Sequence, residues 1–127
     1  MASQLGDLHG PDGRFGHREH IALAWRAVRA HGRDEAAGRV GGVLRQLTAY
    51  ERVPQKYNET LSRAWVELVA HHVEEDPALA DFDTFVTRNP ALLDKRLLAA
   101  HYSSRTLASA RARESWVPPD LSPFPWT

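Results

Sequence analysis

The stretch Lys56-Tyr57-Asn58-Glu59-Thr60-Leu61-Ser62-Arg63-Ala64-Trp65-Val66-Glu67-Leu68-Val69-Ala70-His71-His72 decides the fold. At 100° per residue, Tyr57, Leu61, Ala64, Trp65, Leu68 and His72 fall on one side of a helix. Glu59, Arg63 and Glu67 make a charged stripe at i, i+4 spacing on another. The inward stripe is apolar in its middle and polar at both ends. That suits a central helix whose ends face something polar, such as a pocket. The helix is expected to extend to about Glu75, where Pro77 stops it.

Two helices are expected before it. The first spans about Gly16 to His31, with Phe15 as a hydrophobic staple and Gly32 closing its end. His17, His20, Ile21, Ala24, Ala27, Val28 and His31 form its stripe, with Trp25 flanking. The second starts at an Asp34 cap and runs to about Arg52, with Val40, Val43, Leu44 and Leu47 as its core face. Gly38, Gly41 and Gly42 each cost about 1 kcal/mol in a helix interior, so they mark close helix packing or a break. Pro54 sets the next boundary.

After the central helix, Asp81 or Asp83 caps a short helix carrying Phe82, Phe85 and Val86. Asn89-Pro90 opens another, with Asn89 as its cap and Leu92, Leu93, Leu97, Leu98 and Tyr102 following. Ser103 or Ser104 caps a last helix that reaches about Glu114. Residues 116–127 hold Pro118, Pro119, Pro123 and Pro125 beside Trp116, Phe124 and Trp126. Four prolines forbid a long helix, and the aromatics argue against disorder. The tail is expected to lie extended against the body and to bury at least Trp116. No segment alternates with period 2 between hairpin turns. The fold class is therefore all-α, an irregular bundle of five or six helices with an extended Pro/Trp-rich tail. Residues 1–13 read as a flexible arm and residues 14–127 as one helical domain.

Composition narrows the function. The chain has 127 residues and a net charge of zero, so it lacks the basic footprint of a nucleic-acid binder. It has no Cys, which excludes disulfides, thiolate metal sites and Cys nucleophiles. No apolar run reaches the roughly 18 residues of a membrane span, and residues 1–13 lack the apolar core of a signal peptide. A cytoplasmic protein is expected. Arginine outnumbers lysine 14 to 2 among a chain with 18 alanines, a bias of high-GC bacterial coding. P-loop, GxGxxG and Gly-x-Ser-x-Gly patterns are missing.

Seven histidines are many for this length. His17 and His20 sit at i, i+3 on one face, so their rings are placed to converge. In an up-down-up bundle, helices one and three run parallel. His17 and His20 then lie beside Tyr57, Asn58 and Glu59. Antiparallel packing would bring them to His71 and His72 instead. Two His and a carboxylate are the ligand types of zinc or non-haem iron, which makes His17, His20 and Glu59 the candidate metal set. Neither Glu-x-x-His nor HExxH occurs. Without a metal, His17, His20, Tyr57 and Glu59 suit general acid–base catalysis, because His titrates near neutral pH. Asn58, Trp25 and Trp65 are then the candidate substrate contacts in a small-molecule pocket. A divalent metal and no cofactor at all both stay open, as does a homo-oligomer. The competing expectations are that the two histidines merely close the bundle end, or that the chain is an accessory protein docking a partner through its tail or a helix face.

Phe15-Gly16-His17-Arg18-Glu19-His20-Ile21-Ala22-Leu23-Ala24-Trp25, followed by Lys56-Tyr57-Asn58-Glu59-Thr60, resembles a set of small helical bacterial proteins. These open with F-x-H-x-x-H-x-x-x-A-W and carry K-Y-H-x-T on a later helix. The likeness continues through Asn89-Pro90 to Trp116-Val117-Pro118-Pro119-Asp120-Leu121. The resemblance implies no mechanism. The third histidine of that set is Asn58 here. Asn is a poor ligand for zinc or iron and cannot act as a base, which weakens a three-His site.

Overall fold

The computed structural model describes residues 15–126; the expected arm over residues 1–13 lies outside them. The described residues are 71% helical, 3-10 turns included, well above the globular average, and contain no strand. Helix α1 is His17–His31 and α2 is Arg33–Tyr50. The two are joined by Gly32 alone, whose φ of +84° is open to glycine at little cost. Gly32, not Asp34, holds the cap position of α2, because no loop separates the helices. Asp34 instead places its carboxylate in the first turn, where the helix dipole favours it.

The central helix, α3, is Glu59–Glu75. It begins later than the periodicity predicts, because Asn58 is its cap: Asn58 Oδ1 accepts from the Leu61 N–H at 2.9 Å. Lys56 therefore belongs to a 3-10 turn, Pro54–Lys56, and Tyr57 to the link behind it. The helix is buried nearly all round. Thr60, Ser62, Ala64, Trp65, Val66, Leu68, Val69 and Ala70 are enclosed. Such burial is the mark of a helix with neighbours on every side. Ile21, Ala24, Trp25 and Val28 of α1 and Ala36 and Val40 of α2 pack onto it.

Ion pairs fix the directions. Arg33, at the start of α2, meets Glu74 at the end of α3 at 2.6 Å. Arg45, near the end of α2, meets Glu59 at the start of α3 at 3.3 Å. Helices α1 and α3 thus run parallel with α2 reversed between them, the expected up-down-up order.

Asp81 caps α4, Phe82–Arg88. The expected helix from Asn89 is instead two 3-10 turns, Pro90–Leu93 and Lys95–Ala100. Asn89 spends its amide on the Phe85 carbonyl at 2.9 Å, and Asp94 starts the second turn by accepting from Arg96 N–H. The last helix is also divided. Ser103 caps α5, Ser104–Ala108, and Ser109 caps α6, Ala110–Glu114. A serine that caps a new turn interrupts the one before it.

The tail runs extended against the body. Tyr102 Oη donates to the Val117 carbonyl at 2.6 Å, and Leu121 N–H to the His101 carbonyl at 2.9 Å. Thr60 Oγ1 donates to the Ser115 carbonyl at 2.8 Å and accepts from Val117 N–H at 3.1 Å. The tail's buried anchor is Phe124, 3% exposed, rather than Trp116, which lies half-buried under Arg63 at 4.6 Å. Phe124 stacks on Trp126, which stacks in turn on His71 at 4.5 Å. No helix of the described residues is long and apolar enough to cross a membrane.

Candidate functional site

Parallel packing brings the first turn of α1 and the first turns of α3 to the same end of the bundle, and α2 closes the third side. Between them lies a pocket of about 220 Å³. His20 enters from α1, Leu44 and Thr48 from α2, and Leu61, Ser62 and Trp65 from α3. Lys56, Tyr57 and Asn58 complete it from the link before α3. Leucines and Trp65 supply apolar walls, with polar groups at separate points.

His20 Nε2 is enclosed and has no hydrogen-bond partner. Burial, helped by neighbouring His17, lowers its pKa from 6.5 to about 4. The ring is a neutral imidazole at neutral pH. Ser62 Oγ is also buried, and its hydroxyl faces that of Tyr57.

Tyr57 Oη donates to Glu59 Oε1 at 2.5 Å. Arg45 Nη1 reaches both, Tyr57 Oη at 3.2 Å and Glu59 Oε1 at 3.3 Å, and its guanidinium lies 5.2 Å from the Tyr57 ring centre. Burial first, and the Glu59 carboxylate second, push the Tyr57 hydroxyl up to about 12. Tyr57 keeps its proton. Gly41 makes room for this cluster, since a Cβ there would stand 2.8 Å from Tyr57 Oη.

The other expected site residues divide. Asn58 borders the pocket, but its amide ties the link to the Leu107 carbonyl at 2.8 Å while its oxygen caps α3. Trp65 is a wall. Trp25 is not at the site: it faces Phe82 and Phe85 at 5.6 and 6.1 Å, because the residues further along α1 look toward α4. His17 turns away from the pocket. Its Nε2 donates to the Leu92 carbonyl at 2.8 Å, and its ring meets Trp65 at 4.5 Å. Burial lowers its pKa, against the Leu92 hydrogen bond.

The metal set His17, His20 and Glu59 is not assembled. The His17 nitrogen is taken by Leu92, and Glu59 by Tyr57 and Arg45. Among the described residues no group of three or more His, Asp or Glu is placed to hold an ion. Sequence reasoning missed Leu44, Thr48, Lys56, Leu61 and Ser62 of the lining, and Arg45 beside it. The α2 glycines were the available signal for Arg45, since Gly41 lies one turn before it on the same face.

Chemically the cluster favours recognition over proton transfer. An efficient acid or base has a pKa near the working pH, whereas His20 lies well below it and Tyr57 well above it. Comparison with protein-family models, curated protein sequences and solved structures yields no match for this chain.

Proposed function

We propose that the protein binds a small molecule in the pocket between α1, α2 and the start of α3. One observation carries this: His20 Nε2, enclosed in a residue that borders the cavity, has no hydrogen-bond partner, and Ser62 Oγ lies buried on the same lining with the Tyr57 hydroxyl beside it. A buried polar group left unpaired costs about 1–3 kcal/mol, and folded proteins tolerate few of them. A ligand group that meets His20 Nε2 recovers that cost. The walls of Leu44, Leu61 and Trp65 favour an apolar body. At about 220 Å³ the pocket is below the roughly 300–1,000 Å³ of drug-sized sites, so the ligand is fragment-sized.

Ligand-observed NMR with a library of monocyclic fragments tests this, run beside a Thr48→Trp variant. Thr48 is half-buried at the pocket wall, so a tryptophan there fills the cavity without entering the core. Hits on the wild type that vanish in Thr48→Trp are expected. A wild type silent at millimolar fragment, or hits indifferent to the filled pocket, would overturn the proposal.

A further inference from the structure

The binding reading leaves the ligand's chemistry open, and the distribution of polar groups along the pocket narrows it. The enclosed groups are His20, whose Nε2 has no partner and which burial keeps neutral, and the Ser62 hydroxyl beside Tyr57. Neither carries a charge at neutral pH, so neither calls for an ion. A neutral hydroxyl or carbonyl fits them. Positive charge stands elsewhere on the lining, at Lys56, an exposed residue whose ammonium has no hydrogen bond or ion pair among the described residues. The charges of the Tyr57 cluster do not cancel it. Glu59 is met by Tyr57 and by Arg45, so these three residues, Lys56, Arg45 and Glu59, sum to one positive charge carried by Lys56.

The first turn of α3 offers less to a larger anion, because Asn58 Oδ1 already takes the Leu61 N–H. A phosphate is best held by several converging donors or a guanidinium fork. Here Arg45 is engaged and one flexible ammonium is free.

We infer that the ligand is a monocyclic monocarboxylate: the carboxylate on Lys56 at the exposed edge, the ring against Leu44, Leu61 and Trp65, and an uncharged hydroxyl or carbonyl toward His20 and Ser62. This rests on the pocket being a binding site at all, and the two claims fail differently.

The test pairs 4-hydroxybenzoate with 4-hydroxybenzamide, which share size and hydroxyl and differ in charge. Affinities are measured by protein-observed NMR titration on the full chain, wild type and Lys56→Gln. Lys56 is exposed on a 3-10 turn, so its loss leaves the core intact. An exposed lysine–carboxylate pair is a modest interaction, so the acid should bind about fivefold more tightly than the amide. Lys56→Gln should bring the acid down to the affinity of the amide in the same variant, and 0.5 M NaCl should shrink the preference in the wild type. Equal affinities, or a preference that survives Lys56→Gln, overturn the carboxylate class while the pocket stands. Neither probe binding at millimolar concentration, with monocyclic fragments equally silent, overturns both.

Discussion

Gly41 of α2 and Tyr57 of the link before α3 meet so closely that a Cβ at position 41 would lie 2.8 Å from the Tyr57 hydroxyl oxygen. The glycine seats the phenol that Glu59 and Arg45 hold. Gly41→Ala should push the ring end aside and weaken fragment binding severalfold. Its stability should change by less than about 1 kcal/mol, since the helix-propensity gain offsets the displaced hydrogen bond. Gly38→Ala is the control. Nothing lies within 4 Å of its added methyl. It should stabilise the protein by up to about 1 kcal/mol with binding unchanged. Thermal melts and fragment titrations on both variants check this.

Acid should loosen the fold through His20. Its folded pKa is about 4 against an ordinary 6.5. Between those values the unfolded chain holds a proton that the folded chain does not. Stability is therefore full above about pH 6.5 and falls as pH drops toward 4. The loss at pH 4.5 should be on the order of 2–3 kcal/mol. His17 is lowered too and adds in the same direction. Asp81, Asp94 and Asp120, whose carboxyls are held below 3.8 by hydrogen bonds, act only at still lower pH. Urea midpoints from pH 7 to 4.5 should show the fall, and His20→Gln should flatten it. An unchanged slope in that variant would show that His20 is not its source.

Thr60 ties the central helix to the tail. Its hydroxyl serves the Ser115 carbonyl and the Val117 N–H at once. Thr60→Val keeps the shape and removes both bonds, leaving two backbone groups without partners. A loss of about 1–3 kcal/mol is expected in chemical denaturation, with faster amide exchange at Val117.

The tail's two large aromatics should differ in weight. Phe124 is buried, and Phe124→Ala should cost about 3–5 kcal/mol. Trp116 is half-buried beneath Arg63, so Trp116→Ala should cost clearly less. Denaturation midpoints of the two variants give the order directly.

How much of this was legible in the sequence follows from the range of the forces involved. The 3.6-residue period of Leu61, Ala64, Trp65 and Leu68 exposed the central helix, and the short Gly32 junction implied the reversal between α1 and α2. From those alone His20 falls beside Tyr57. The start of α3 was misplaced, since Asn58 suits either a first turn or a cap and its tie to Leu107 is long-range. The turns after Asn89 were read as one helix, because apolar spacing does not distinguish α from 3-10 backbone over a few residues. The site divided for a similar reason. A wheel assigns His17 and His20 to one face, but only the Leu92 carbonyl turns His17 away. Ser62 carried no sequence signal of its own, and Arg45 only the indirect one of Gly41 a turn before it. Their roles come from what α2 and the link place next to Tyr57.

The most direct test of the central claim is where a bound fragment sits. In a ¹H–¹⁵N correlation experiment with a saturating monocyclic fragment, the shifted amides should cluster at Leu44, Thr48, Tyr57, Leu61 and Ser62, with His20 on the facing helix. Shifts concentrated elsewhere, for example along the groove of Leu23, Ala27 and Val43 between α1 and α2, or no shifts at all, would contradict it.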